Sequence, residues 1–298
     1  MKENKMSQET PITQEGRLSK SREKVIEQER KLGIRMKQID HKIAVMSGKG
    51  GVGKSMITAN LAAELASRDL RVGILDADFH GPCIPKMLGI QGQHPIAGPP
   101  GIFPIIGPFN IEVVSMDFFL PDSGSPVIWR GPLKMTAIRQ FLSDVVWGKL
   151  DFLLIDLPPG TGDESLTIMQ LIPDLDGVIM VTAPSEVSQL VVRKAINMVK
   201  MMKIPILGIV ENMSGFICPK CGSEFELLGS GGGEKLAHET NVPLLARVPM
   251  DPTISGDSDI GKPFVIEHRS SPSAKILETI SEKIVNRLKI EAREGSRK

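Results

Sequence analysis

The sequence predicts an α/β fold built on a doubly wound, mostly parallel sheet. Three observations carry that expectation. Short apolar runs alternate with stretches of helical periodicity along the chain. Several of the runs close on acidic residues, which is where open α/β sheets bind ligands. The first run leads into Gly48-Lys49-Gly50-Gly51-Val52-Gly53-Lys54-Ser55, a complete G-x-x-x-x-G-K-[ST] phosphate loop.

Residues 1–40 precede that run and are polar. From Arg17 to Met36 the chain is rich in Lys, Glu and Arg, with Leu18, Val25, Ile26 and Leu32 as its few apolar residues. This predicts a tail followed by a solvated helix, with an interaction arm as the alternative. Residues 41–290 read as one catalytic domain and 291–298 as a charged tail.

Ile43-Ala44-Val45-Met46 is the first strand, and Met56 to Arg68 is a helix with Ile57, Leu61 and Leu65 four residues apart. The loop therefore joins a strand to a helix N-terminus. Glycines let its backbone curl so that N–H groups face an anion, and the helix end adds its own unpaired N–H groups. Lys54 is expected on the β- and γ-phosphates and Ser55 on Mg²⁺. The nucleotide-contacting set is Gly48, Lys49, Gly50, Gly51, Val52, Gly53, Lys54, Ser55 and Met56.

Arg71 to Leu75 is the second strand, and Asp76 and Asp78 stand beyond its end. Two carboxylates there suit a hydrated Mg²⁺ or an attacking water. Residues 92–108 are dense in Gly and Pro and read as a loop. Ile111 to Met116 is a strand, and Leu133 to Val146 is a helix with Pro132 suited to its first turn. Asp151 to Asp156 is an apolar strand ending in an acid that should act on Mg²⁺. The glycines of Leu157 to Asp163 let a backbone N–H approach a γ-phosphate and report its loss. Gly177 to Thr182, Ile206 to Val210 and Leu244 to Val248 are further strands, with helices at Glu186 to Met202 and Glu234 to Thr240. Asn212 follows the strand at Val210, and its amide offers an adenine edge both a donor and an acceptor. From Ser271, Ile276, Ile280, Ile284 and Leu288 mark an amphipathic helix. Its polar face mixes Glu and Lys, which favours packing on the sheet over lying on a membrane.

Cys218-Pro219-Lys220-Cys221-Gly222 presents two thiolates to one metal. A closed Zn²⁺ site or a [4Fe–4S] cluster needs four. The third cysteine, Cys83, is distant, and His238 is a lone candidate. Two chains giving two sulfurs each meets the requirement. A bridging cluster, a bridging zinc and a thiol–disulfide pair all remain open on these residues alone.

Composition sets the outer bounds. The chain has 298 residues, 41% apolar, with 36 basic and 35 acidic side chains. A balanced charge gives no pull toward nucleic acid or an anionic membrane. Aromatics make up 4% and tyrosine is absent, so a base-stacking surface is hard to build. Three cysteines and no long apolar span point to a reducing, cytoplasmic setting.

Several motifs resemble one family. K-G-G-V-G-K-S is similar to the deviant Walker A loop shared by Min and Par partition ATPases, nitrogenase iron protein and the Mrp/ApbC iron–sulfur carriers. Asp78-Phe79-His80-Gly81-Pro82-Cys83-Ile84-Pro85 resembles the carriers' first switch, although Cys83 stands where a small hydroxyl residue is usual. Trp129-Arg130-Gly131-Pro132, the Asp156-Leu157-Pro158-Pro159-Gly160-Thr161-Gly162-Asp163 run and Glu211-Asn212-Met213-Ser214 are also similar to the carriers. The resemblance spans about His41 to Ile290. It implies a P-loop ATPase that binds ATP and Mg²⁺, with Lys49 reaching the partner subunit's nucleotide and Asp78 positioning the hydrolytic water. Asp76 and Asp156 serve the metal, and Asn212 and the turn at Asp251 contact the base. It further implies a homodimer with a [4Fe–4S] cluster shared through Cys218 and Cys221, apo-protein acceptors and assembly scaffolds as partners, and no nucleic acid or membrane. A Min/Par-type positioning ATPase and a zinc-bridged assembly factor are the rival readings. Arg130 reads equally as a phosphate or partner contact and as a surface ion pair.

Overall fold

The computed structural model describes residues 14–119, 131–218 and 221–295. Its centre is a nine-stranded sheet. In chain order the strands are β1 (Ile39–Ser47), β2 (Val72–Asp76), β3 (Ile105–Ile106), β4 (Glu112–Ser115), β5 (Leu150–Asp156), β6 (Gly177–Thr182), β7 (Ile206–Ile217), β8 (Glu224–Phe225) and β9 (Leu244–Met250). They lie side by side as β8-β7-β6-β1-β5-β2-β4-β3, with β9 also paired to β7. All pairs are parallel except β3 with β4 and β8 with β7.

The alternation along β1 shows why both faces are covered. Ile43 and Val45 point into one apolar cluster, and Ala44 and Met46 into the other. A strand whose two faces are both apolar is stable only between two layers of helix. The first layer holds α2 (Lys54–Ala66), α9 (Phe264–Glu267) and α10 (Pro272–Gly295). The second holds the C-terminal turns of α1 (Gln14–Met36), α4 (Gly131–Asp144), α5 (Asp163–Leu171), α6 (Glu186–Met201) and α7 (Gly232–Thr240). Helix α2 is enclosed almost all round: of its residues only Ser55 is not buried.

The α10 stripe of Leu277, Ile280, Ile284 and Leu288 is buried against the first layer. In α1, Val25 and Ile26 are exposed, but Leu32 and Met36 are buried against the second layer. Its end is thus anchored rather than wholly solvated. Three short helical segments, α3 (Ile84–Met87), α8 (Pro252–Ile260) and α9, complete the chain. Residues 92–108 are mostly loop, with a small hairpin pairing Ala97 to Ile102. Trp129 and Arg130 lie outside the described residues, so their expected roles carry no structural account.

Strand β7 runs seven residues beyond the expected Val210. Asn212 reads as lying just past the strand, yet it and Glu211 are both buried within β7. The Glu211 carboxylate accepts the amides of Gly231 and Gly233, so it caps the N-terminus of α7. Within β7, Met213 takes a left-handed conformation (φ 59°), as does Gly215 (φ 76°). β7 stays paired to β9 as far as Phe216 and turns back through β8, with Phe216 against Phe225.

Candidate nucleotide site and cysteine hairpin

The phosphate loop leaves β1 at Ser47 and enters α2 at Lys54. Gly53 adopts φ 82°, a conformation that disfavours L side chains, and a Cβ there would fall 2.2 Å from Asn212 Nδ2. Gly48 is required for a different reason. A Cβ on it would lie 2.6 Å from the Val192 backbone nitrogen, so the loop packs directly on α6. Beneath the loop is a cavity of about 260 Å³, whose wall includes Lys54, Ser55, Met56, Asp78, Cys83 and Pro159.

Parallel pairing of β2 with β5 sets Asp76 opposite Asp156 at the ends of the two strands. Asp156 is fully buried and accepts three bonds. Lys54 Nζ and Ser55 Oγ each lie 2.5 Å from Oδ2, and Thr58 Oγ1 lies 2.7 Å from Oδ1. Asp76 accepts from Ser115 Oγ at 3.1 Å and from the Asp78 amide at 3.2 Å. Burial pushes Asp76 up to about 8, the Asp156 charge adds to the rise, and Lys54 opposes it. Two adjoining buried carboxyl groups stand beside one ammonium, and Asp76 gives up its proton only if further positive charge arrives. With the Ser55 hydroxyl they form a hard-oxygen donor set that fits Mg²⁺ bound partly through water.

Asp78 lies on the same rim, its Oδ1 accepting the amides of His80 at 3.3 Å and Gly81 at 3.2 Å. Burial pushes the Cys83 thiol up to about 11, with the Ser55 hydroxyl opposing. Lys49 is half-buried and has no ion pair among the described residues. Gly160 donates to Ser47 O at 2.8 Å, which ties the turn after β5 to the root of the loop.

Asn212 lies within β7 beside the end of β9, since Val248 pairs with it and Asp251 follows the last residue of β9. Asn212 Nδ2 donates to Val52 O at 2.9 Å, so its amide braces the phosphate loop. Asp251 caps α8, its Oδ1 accepting Thr253 N at 3.0 Å and Thr253 Oγ1 at 2.6 Å. Sequence reasoning missed Thr58 and Ser115, the hydroxyls that orient the two buried acids. The only signal was the position of Thr58, one helical turn after Lys54.

Cys218 closes β7 and Cys221 opens the return to β8. The turn is held by Cys218 N to Ser223 O and Gly222 N to Cys218 O, both 2.9 Å. The hydroxyl of Ser223, 3.3 Å from Cys221 Sγ, holds the exposed Cys221 thiol below its ordinary range, and Cys218 adds to this. Among the described residues no group of three or more His, Cys, Asp or Glu side chains is arranged for a metal. Among the described residues, the hairpin offers the two sulfurs of Cys218 and Cys221. The cysteine hairpin and the phosphate loop are linked through β7, which carries Asn212 at one point and Cys218 just past its end.

Residues 38–285 match the family described as ParA, NUBPL iron-transfer P-loop NTPase. The chain is 50% identical over 278 residues to the iron-sulfur cluster carrier protein of Saccharolobus solfataricus, covering 93% of this chain and 94% of that one. It is 56% identical over 260 residues to the iron-sulfur cluster carrier protein of Methanocaldococcus jannaschii, covering 87% and 90%. Among solved structures, a nucleotide-binding protein of Archaeoglobus fulgidus in complex with ADP superposes with a TM-score of 0.72 at 40% identity, covering 83% and 95%. The cell division ATPase MinD of Pyrococcus furiosus gives 0.63 at 26% identity, covering 83% and 99%.

Proposed function

The chain belongs to the ParA family of NUBPL-type iron-transfer P-loop NTPases, and we propose that it is an Mg-ATP-hydrolysing carrier that holds a [4Fe–4S] cluster between two subunits and passes it to apo-proteins. One observation carries this reading: a single strand joins a complete phosphate-loop site to a pair of cysteines that is half a cluster's ligand set.

Nucleotide enters over the loop, where the backbone N–H groups of Gly50 to Ser55 receive its phosphates. Lys54 exchanges Asp156 for the β- and γ-phosphates, which frees that carboxylate and Ser55 Oγ for Mg²⁺, with Asp76 behind them. When bound, Mg²⁺ would supply positive charge that offsets the charge developing on the transferred phosphoryl group. Asp78 orients a water in line with the γ-phosphorus. Its attack breaks the bond to the β–γ bridging oxygen and releases ADP and phosphate. Lys49 of one subunit reaches the nucleotide of the other. Asn212 and the turn at Asp251 face the adenine. The cluster is cargo, held by Cys218 and Cys221 of each subunit and delivered to apo-acceptors in the cytoplasm, with assembly scaffolds as further partners. Neither nucleic acid nor membrane takes part.

The test is anaerobic reconstitution with iron and sulfide, followed by native mass measurement and transfer to an apo-ferredoxin-like acceptor. The expected product is a dimer with one cluster and absorbance near about 400 nm. Cys218→Ala and Cys221→Ala should abolish transfer. Zinc alone, a fully ligated monomer, or undiminished transfer by the variants would refute the reading.

A further inference from the structure

Outside the phosphate site, the described residues hold one buried ammonium shared by two segments, the loop after β2 that resembles a first switch and the turn after β5, taken as the second. Lys134, in the first turns of α4, is 5% exposed. Its Nζ donates to Glu164 Oε1 at 2.6 Å and meets His80 Nε2 at 2.6 Å. His80 follows Asp78 by two residues, and its backbone amide donates to the Asp78 carboxylate. Glu164 stands in the first turn of α5, directly after the Pro158–Gly162 turn. The two segments contribute His80 and Glu164 to a cavity of about 540 Å³, with Pro158 and Pro159 on the same wall.

From this geometry we infer that Lys134 is a positioning residue that latches the two switch segments together, so that the Asp78 loop and the turn after β5 move as one unit during ATP hydrolysis. The inference rests on the ATPase reading above. Its physical basis is the cost of leaving an ammonium buried without a partner. Helix α4 is a fixed post, since Ala137, Ile138, Phe141 and Leu142 anchor its inner face in the second layer. If the turn after β5 shifts by about an ångström, the Glu164 contact lengthens and the charge on Lys134 is left uncompensated. The same ammonium grips His80, so the cost reaches the loop that shapes Asp78. A coupled pair of segments then has two joint positions rather than four independent ones. The His80 limb is solvent-exposed and the Glu164 limb is the more enclosed. Glu164 therefore carries most of the latch, and His80 gives it direction. Lys134 is not among the residues that wall the cavity under the phosphate loop, and it acts through its two partners.

The test compares wild type, Lys134→Met, Glu164→Gln, the double variant and Lys134→Arg. Steady-state Mg-ATP hydrolysis is read alongside amide exchange of the nucleotide-free protein. Each of Lys134→Met and Glu164→Gln should lower kcat on the order of tenfold while KM for ATP changes less than about twofold. The double variant should be no slower than the slower single one, because both remove one unit. Lys134→Arg should recover most of the rate. Amide exchange should rise together in residues 79–83 and 158–166 of Lys134→Met, with β5 unchanged as the control for folding. Additive kinetic losses, or faster exchange in one segment alone, overturn the latch. If wild type hydrolyses no ATP, the ATPase reading fails, and the exchange result decides the latch by itself.

Discussion

Lys54 meets Asp156 where water has little access, so the pair is worth more broken than its small net stability suggests. Removing one partner of a buried pair costs about 3 kcal/mol or more. Lys54→Ala should therefore abolish ATP hydrolysis and lower the thermal midpoint of the nucleotide-free protein. Steady-state phosphate release and a melting curve check both outcomes. The cysteines divide in the same physical way. Burial raises Cys83 to about 11, whereas the hydroxyl of Ser223 lowers exposed Cys221. At pH 8, iodoacetamide should alkylate Cys221 well before Cys83, as mass mapping over time would show. Equal rates would contradict the geometry. The acids at strand ends were legible because an apolar run that stops on Asp has few other readings. Thr58 was not, since nothing local ties an ordinary helix hydroxyl to a carboxylate 98 residues away. Asn212 reads from the sequence as an adenine contact, and nothing local points to its bond to Val52 O, 160 residues back.

Elements with strong periodicity were read nearly to their ends. β6 matches its expected bounds, and α2 and α6 differ by a residue or two. The errors have physical causes. β7 looked finished at Val210 because buried Glu211 mimics a solvent-facing end until its capping of α7 is known. Helix α8 lacked an apolar stripe and buries none of its residues, although Asp251-Pro252 is a sound start signal. Two predictions belong at this scale. Met36, 1% exposed at the end of α1, should cost about 2–4 kcal/mol when cut to Ala, measurable by urea unfolding. Glu112 opens β4 beside the antiparallel β3, and its Oε2 is buried with no partner among the described residues. Burial pushes its carboxyl from 4.5 up to about 7. The native state then binds more protons than the unfolded one between those values, so stability falls as pH rises through that window. Glu112→Gln should flatten this fall and raise the thermal midpoint at pH 8. An unchanged pH profile would contradict it.

Across the molecule, the layer architecture decides which surfaces remain for partners. The apolar stripe of α10 is spent on the sheet, and no described helix is long and apolar enough to cross a membrane. With 36 basic against 35 acidic residues, no global charge draws the protein to lipid or DNA. ATP should therefore not drive co-sedimentation with anionic vesicles or duplex DNA, and a clear ATP-dependent pellet would support a Min/Par-type role instead.

The left-handed Met213 has a consequence at the same scale. A non-glycine residue in that region stores on the order of 1–2 kcal/mol. It falls between Asn212, which grips the loop, and Cys218, which begins the sulfur-bearing turn, with Gly215 close behind. The twist does not release the hairpin, since beyond it Phe216 still pairs with Met250 of β9 and with Phe225 of β8. The turn that carries the thiols is therefore tied to the sheet through two neighbours, and a kinked rather than straight path sets where its sulfurs stand.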